Sequence, residues 1–418
     1  MCQFYELPVV SKVVFLLLTK MSRLPWLQYF RLVDYLFYYP TNIFESLARV
    51  HDIHAKVCNL ILAFRQLEKT VGGSIICCMG RIQFNHSYET IISIDNLLEA
   101  WKEFSADKDT REDVAKFRLQ LMGHLLQLHD DLKDGKFTHG PYMPFKINDP
   151  KPRDIHKATV RDRILHRALY RKLYPFFDRT FISDSYSCRI DKGTHRAFKR
   201  FNRFARQASR NHTETVWILK CDIRKFFASI DHEILSSILN LYIPDQDILR
   251  LLNQIINSFH SSDFNVGMPL GNLTSQLFAN ICMNEFDQFM KHEIKAKYYI
   301  RYADDFVILN TNRKWLESIL VKMSSFLKEK LHLSLHPNKT FIKTFASGVD
   351  FLGWIHFPNH RVLRTSTRRR MMNRCGGEPK LETVSSYLGM LKHGNAYKYQ
   401  EILQPIHDRL LEEFLRLS

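Results

Sequence analysis

Tyr302-Ala303-Asp304-Asp305-Phe306-Val307 joins two apolar runs, residues 298–302 and 306–309, with adjacent acids at the junction. Short apolar segments around a tight turn predict a β-hairpin, here with two carboxylates at its bend. Carboxylates this close repel each other unless a cation sits between them. A hard cation with oxygen ligands, usually shared with phosphate, suits that position, and magnesium is the natural candidate. Taken alone, an Asp-Asp pair in a turn is more often a solvated loop.

A second segment shifts that balance. Residues 215–223 are β-rich and apolar and predict a buried strand ending at Asp222. A helix pattern follows in Ile234, Leu235, Ile238 and Leu239, with Asp231 placed as its N-cap. A two-metal polymerase needs a carboxylate from a separate strand, and Asp222 supplies one. The two segments resemble the Y-x-D-D box and the D-x-x-x-F-F-x-x-I motif of reverse transcriptases, with Phe226, Phe227 and Ile230 at the expected offsets.

Composition is consistent with that likeness. The chain has 418 residues, enough for two or three domains. Its net charge of +17 favours a polyanionic partner such as nucleic acid, although membrane association or solubility also explains a basic surface. Eight cysteines are scattered without a CxxC pair, which argues against structural zinc and suits a cytoplasm. The apolar run at 9–18 is too short to span a membrane and is interrupted by Lys12, so no membrane partner is expected.

Four more blocks occur in the order a reverse transcriptase would have them. Residues 151–163 resemble the fingers, where Arg153, Lys157 and Arg163 would hold the incoming triphosphate, since arginine's planar donors match phosphate oxygens. The wording departs from the common R-P-L-x-I-P, and a solvated basic loop is the competing reading. In residues 184–195, Arg189, Lys192, Gly193 and His195 are candidates for template or primer phosphates. In residues 267–280 a Pro-Gly turn ending at Gly271 precedes a helix (Leu273, Leu277, Ile281) capped by Asn272 or Thr274; it resembles the helix beside the nascent base pair, which makes Gly271 and Ser275 candidates for template or primer contact. In the last block Lys339 is a candidate general acid for the leaving pyrophosphate. Phe351, Leu352 and Gly353 would form the primer grip.

Residues from about 90 to the end therefore resemble bacterial reverse transcriptases of the group II intron-like class. The resemblance implies an α+β right-hand fold: helical fingers, a palm with an antiparallel sheet, and a short helical thumb. It implies that Asp222 and Asp304, with the Ile223 carbonyl, hold two Mg2+ ions (Mn2+ able to substitute), with Asp305 as a weaker ligand. Phe226 and Phe227 would bound the incoming nucleotide, Phe227 as the gate against a 2′-hydroxyl. The finer likeness lies in Leu270-Gly271-Asn272-Leu273-Thr274-Ser275-Gln276. Intron-encoded enzymes usually read Q-G-x-x-x-S-P there, whereas this form resembles the enzymes of diversity-generating retroelements. That subfamily copies a template-repeat RNA into cDNA with frequent errors opposite adenine, making Leu270 and Gln276 candidates for fidelity control. Its implied partners are template RNA, a DNA primer, dNTPs and a basic, pentameric helical accessory variability protein, in a bacterial cytoplasm. Another bacterial reverse transcriptase of intron, retron or antiphage type is the alternative, and a non-catalytic RNA-binding relative is disfavoured by the intact carboxylates.

The expected organisation is a helical N-terminal extension of unassigned role at 1–78, helices and fingers at 79–210, palm at 211–355 and helical thumb at 356–418. Helix-period segments are expected at 43–69 and, as two helices, between 93 and 135.

Overall fold

Aromatic and aliphatic side chains at helical spacing build the first layer. The computed structural model describes residues 82–108, 110–148 and 152–417; the extension at 1–78, with its expected helix, lies outside them. Helices α1 (Tyr88–Ile92) and α2 (Ile94–Ser105) are followed by α3 (Glu112–Leu119) and α4 (Leu121–Lys133). The single second helix expected here is thus two. Gln120 leaves helical geometry at φ −126° and ψ 35°. That break turns Leu119 out to solvent and buries Leu125, Leu128 and Leu132 instead.

The Pro/Gly-dotted stretch that follows becomes strand β1 (Met143–Ile147), paired antiparallel with β2 (Arg153–Lys157) as the fingers hairpin. Helix α5 (Val160–Asp178) starts at Thr159, whose side chain accepts a hydrogen bond from Asp162 N. Its Leu165, Leu169 and Leu173 are fully buried, as their spacing predicts.

The palm sheet has the order β4-β5-β3-β6, all neighbours antiparallel, with β3 (Trp217–Asp222), β4 (Tyr299–Tyr302), β5 (Asp305–Asn310) and β6 (Phe341–Thr344). Alternation sends Leu219, Cys221, Phe306 and Ile308 into one core, shared with α7 (His232–Asn240), α8 (Gln246–Ile256), α9 (Leu273–Gln288) and α10 (Arg313–Leu331). Ile218, Val307 and Leu309 face a second core against α6 (Thr194–Ala208). Cover on both faces explains the near-continuous apolar runs of β3 and β5. Asp231 caps α7 by accepting from the backbone N–H groups of Glu233 and Ile234.

The tail differs from expectation. A small antiparallel sheet of β7 (Val349–Phe351), β8 (Trp354–His356) and β9 (Arg361–Leu363) precedes the helices α11 (Thr365–Cys375), α12 (Leu381–Leu391) and α13 (Tyr397–Leu417). Trp354, Leu363, Met371, Val384 and Leu403 form a third core there. No helix among the described residues is long and apolar enough to cross a membrane.

Candidate active site

The acidic hairpin forms as its residues predict. Tyr302 pairs with Asp305 across a two-residue turn of Ala303 and Asp304, with Ala303 at φ +56°. Asp222, the last residue of β3, lies opposite Asp305 in register, and Ile223 N donates to the Asp304 carbonyl at 3.1 Å. The sheet order therefore brings three carboxylates from two distant segments together at the end of two neighbouring strands.

Their electrostatics differ. Burial raises the Asp304 carboxyl above its ordinary range and the Asp222 charge adds to this, while Lys339 and Arg153 oppose it. Burial pushes Asp305 up to about 7, opposed by Lys220, whose Nζ lies 3.3 Å from Asp305 Oδ2. Asp305 Oδ1 is buried with no hydrogen-bond partner. Lys339 Nζ donates to Asp222 Oδ1 at 2.7 Å, which brings the candidate general acid to the carboxylate cluster. The short helical turn Pro337–Lys339 is held there by His336 N, which donates to the Asp222 carbonyl at 2.7 Å.

Around this cluster lie the nucleotide candidates. Phe226 is buried and Phe227 half-buried, with ring centroids 5.4 Å apart. Phe227 lines a cavity of about 400 Å³ together with His156, Phe259, Met268 and Leu270. The fingers hairpin is stitched to the segment before α9: His156 N donates to the Leu270 carbonyl and Asn272 Nδ2 to the His156 carbonyl, each at 3.0 Å. Asn272 stands at the N-cap of α9 but uses its side chain for this tie rather than for capping. Gly271, at φ +102°, admits Ile155 so closely that a Cβ would lie 2.7 Å from its Cγ2. Arg153 is exposed at the start of β2, near enough for its charge to act on Asp304. Lys157 and Arg163 share one carboxylate, Asp113 of α3, and line a basic cavity of about 280 Å³ with Gly271 and Asn272. Ser275 is buried and Gln276 half-buried in the first turns of α9.

Several template and primer candidates are engaged within the fold instead. The Arg189 side chain is almost fully buried, donating to Asp178 Oδ1 at 2.7 Å and to the Ile182 and Ser185 carbonyls. Lys192 Nζ donates to the Ser183 carbonyl, Gly193 precedes α6 at φ +86°, and the His195 ring lies against that of His393, centroids 3.7 Å apart and planes tilted by 32°. Phe351 is fully buried in the second core, so its ring cannot grip a primer; Leu352 and Gly353, both at positive φ, make the β7–β8 turn and are half-exposed.

Sequence reasoning missed the support beneath the turn. Arg301, fully buried, donates to Asp287, Asn280 Oδ1, Ser185 Oγ and the Ala303 carbonyl. The signal was a charged residue in the apolar strand Tyr-Ile-Arg-Tyr, because a buried charge must be paired. Lys220 within the apolar β3 gave the same signal.

The reverse transcriptase (RNA-dependent DNA polymerase) family matches residues 146–356, just over half of the chain. The chain belongs to that family. This reverse transcriptase is 26% identical over 300 residues to protein YkfC of Escherichia coli (strain K12), covering 62% of this chain and 76% of that protein. It is 23% identical over 330 residues to the group II intron-encoded protein LtrA of Lactococcus lactis subsp. cremoris, covering 62% of this chain and 52% of LtrA. The chain thus spans about half the length of that intron-encoded relative. An apo telomerase from Candida tropicalis matches 58% of this chain and 60% of its own with a TM-score of 0.41 and 14% identity, too loose a likeness to carry an argument.

The family uses divalent metal ions, and the residues here fit one. Asp222 and Asp304 repel each other at the strand ends, and Asp305 Oδ1 lacks a partner. Among the described residues, however, no three His, Cys, Asp or Glu side chains converge as a ready cage. Asp222 and Asp304 would be the principal ligands, while Asp305 is turned onto Lys220.

Proposed function

We propose that this RNA-dependent DNA polymerase copies a template-repeat RNA into cDNA for a diversity-generating retroelement, with errors directed opposite adenine. The observation that carries the reading is Leu270: it lines the same cavity as Phe227, on the segment bound to the fingers hairpin. An aliphatic side chain there offers no hydrogen bond to a base edge, so mispairs lose less than they would against a polar residue.

In this reading Asp222 and Asp304 would hold divalent cations, which would supply neutralisation of charge on the nucleotide phosphates and a lowered pKa for the primer hydroxyl. Phe227 excludes the 2′-hydroxyl. Arg153, Lys157 and Arg163 orient the triphosphate, the last two after release from Asp113. Lys339 keeps a proton at Nζ beside Asp222, available to the leaving pyrophosphate. The partner is a basic helical accessory variability protein, and the setting a bacterial cytoplasm.

The test is Leu270→Gln with sequencing of cDNA made on a defined RNA. Errors opposite adenine should fall several-fold while other errors stay level; an unchanged adenine error rate overturns the reading. The similarity to LtrA favours a second reading, an intron-type enzyme. It predicts faithful copying by the unaltered chain at every template base.

A further inference from the structure

We propose that the outer face of α6 and the cavity it runs into form a docking site for an RNA strand outside the catalytic cleft. The inference goes beyond polymerisation and rests on charge placement. Helix α6 contains no acid across Thr194–Ala208 but carries Arg196, Lys199, Arg200, Arg203 and Arg206. Like charges three and four positions apart destabilise a helix. A buried apolar face of Phe198, Phe201 and Phe204 holds the helix despite that repulsion. Arg200 is committed to Asp184 at 2.7 Å, and Arg196 lies 3.9 Å from Asp191. Lys199, Arg203 and Arg206, spaced by four and three on one face, are exposed, and no ion pair engages them among the described residues.

The stripe leads away from the chemistry. Thr194 at its start lies 3.3 Å from the Tyr302 hydroxyl. Arg206 is twelve residues further on, about 18 Å along the helix at 1.5 Å per residue. There it joins Asn202, His360, Arg361, Lys392 and His393 around a cavity of about 450 Å³ that has no acidic residue in its lining. The Arg361 guanidinium lies over the rings of Phe198 and Trp354, 5.1 and 5.8 Å from their centroids, and its Nη1 is buried without an acceptor. Burial lowers the pKa of His393, and the nearby charges of His195, Arg361 and Lys199 lower it further, so these groups converge on one place.

A row of unpaired cations ending in an acid-free cavity fits a phosphodiester chain. Lys199 to Arg206 covers about 10.5 Å at 1.5 Å per residue, and at about 3.4 Å per nucleotide that spans roughly three phosphates of a stacked strand. A single free phosphate would fill the cavity and leave the stripe unmatched. RNA is the strand in question because the template of this family is RNA, and the stripe runs outward from a helix start that lies beside Tyr302.

The experiment uses the full chain with Lys199→Gln, Arg203→Gln and Arg206→Gln combined. Binding of a long RNA is measured across a salt series, and extension is measured on a template–primer too short to reach α6. Each phosphate contact on a single strand contributes about 0.7 to the log–log salt slope, so the slope should fall by about 2. Short-template extension should persist, and the charge-keeping variant Lys199→Arg, Arg203→Lys, Arg206→Lys should keep the full slope. An unchanged slope in the glutamine variant overturns the proposal, as does loss of short-template extension, which would put the stripe in the cleft. Displacement of the RNA by inorganic phosphate, beyond that by an equal ionic strength of chloride, also overturns it, in favour of a free-anion site. Failure of the unaltered chain to extend the short primer would count against the polymerase reading, separately from this one.

Discussion

Asp222 and Asp304 push against each other at the end of a sheet, and each is tempered by a cation from another element: Lys339 for the first, Lys339 and Arg153 for the second. Replacing Asp304 with Asn removes the repulsion and a cation ligand together. Primer extension by Asp304→Asn should fall by about 10³-fold or more, while thermal melting without metal should stay level or rise; retained extension would end the metal assignment. Phe227 sits on the cavity wall rather than in the core, so truncating it opens space instead of collapsing the palm. Phe227→Ala should lower discrimination against ribonucleotides by about 10²-fold, measured by comparing incorporation of rNTP and dNTP. An unaltered preference would locate the gate elsewhere.

Elements with one strong period were legible. The apolar runs of β3 and β5, the leucines of α5 and the Asp231 cap all formed where the residues put them. The break at Gln120 was not, because Leu119 and Leu121 both fit an apolar face until the backbone turns between them. The β7–β9 sheet was also missed, since three-residue strands are shorter than any period can reveal. That sheet holds the thumb through a close approach: a Cβ on Gly394 would lie 2.0 Å from the Trp354 ring. Gly394→Ala should therefore cost about 1–3 kcal/mol, seen as a lower melting temperature with earlier proteolysis of α12 and α13. A melt matching the unaltered chain would show that the thumb can shift to admit the methyl.

At the scale of the whole molecule, two buried histidines in different cores couple stability to pH. Burial lowers His356 to about 4 and His166 to about 3, both from 6.5. As pH falls below 6.5 the unfolded chain binds these protons first, so folding stability is lost downward from there, to about 4 for His356 and to about 3 for His166. The loss is about 3 kcal/mol for His356 at pH 4, at 1.36 kcal/mol per pKa unit. His356 Nε2 donates to the Phe351 carbonyl at 3.2 Å, a bond that glutamine can replace. Urea unfolding of His356→Gln should show a shallower acid limb by about that amount; an identical limb would exclude His356 as its source.

By itself the sequence singled out the candidate site residues, because the carboxylates, the aromatic pair and the glycine turn lie in short motifs whose local spacing encodes strand, turn or helix. It also determined the family, through the order of those motifs. Only the tertiary structure decided the pairings: Lys339 on Asp222, Lys220 on Asp305, Arg301 beneath Ala303, Asp113 between Lys157 and Arg163. It likewise put the Arg189 side chain and the Phe351 ring inside the fold. The physical reason is that these contacts join segments far apart in the chain. Sheet order and register set them, and no local period records either.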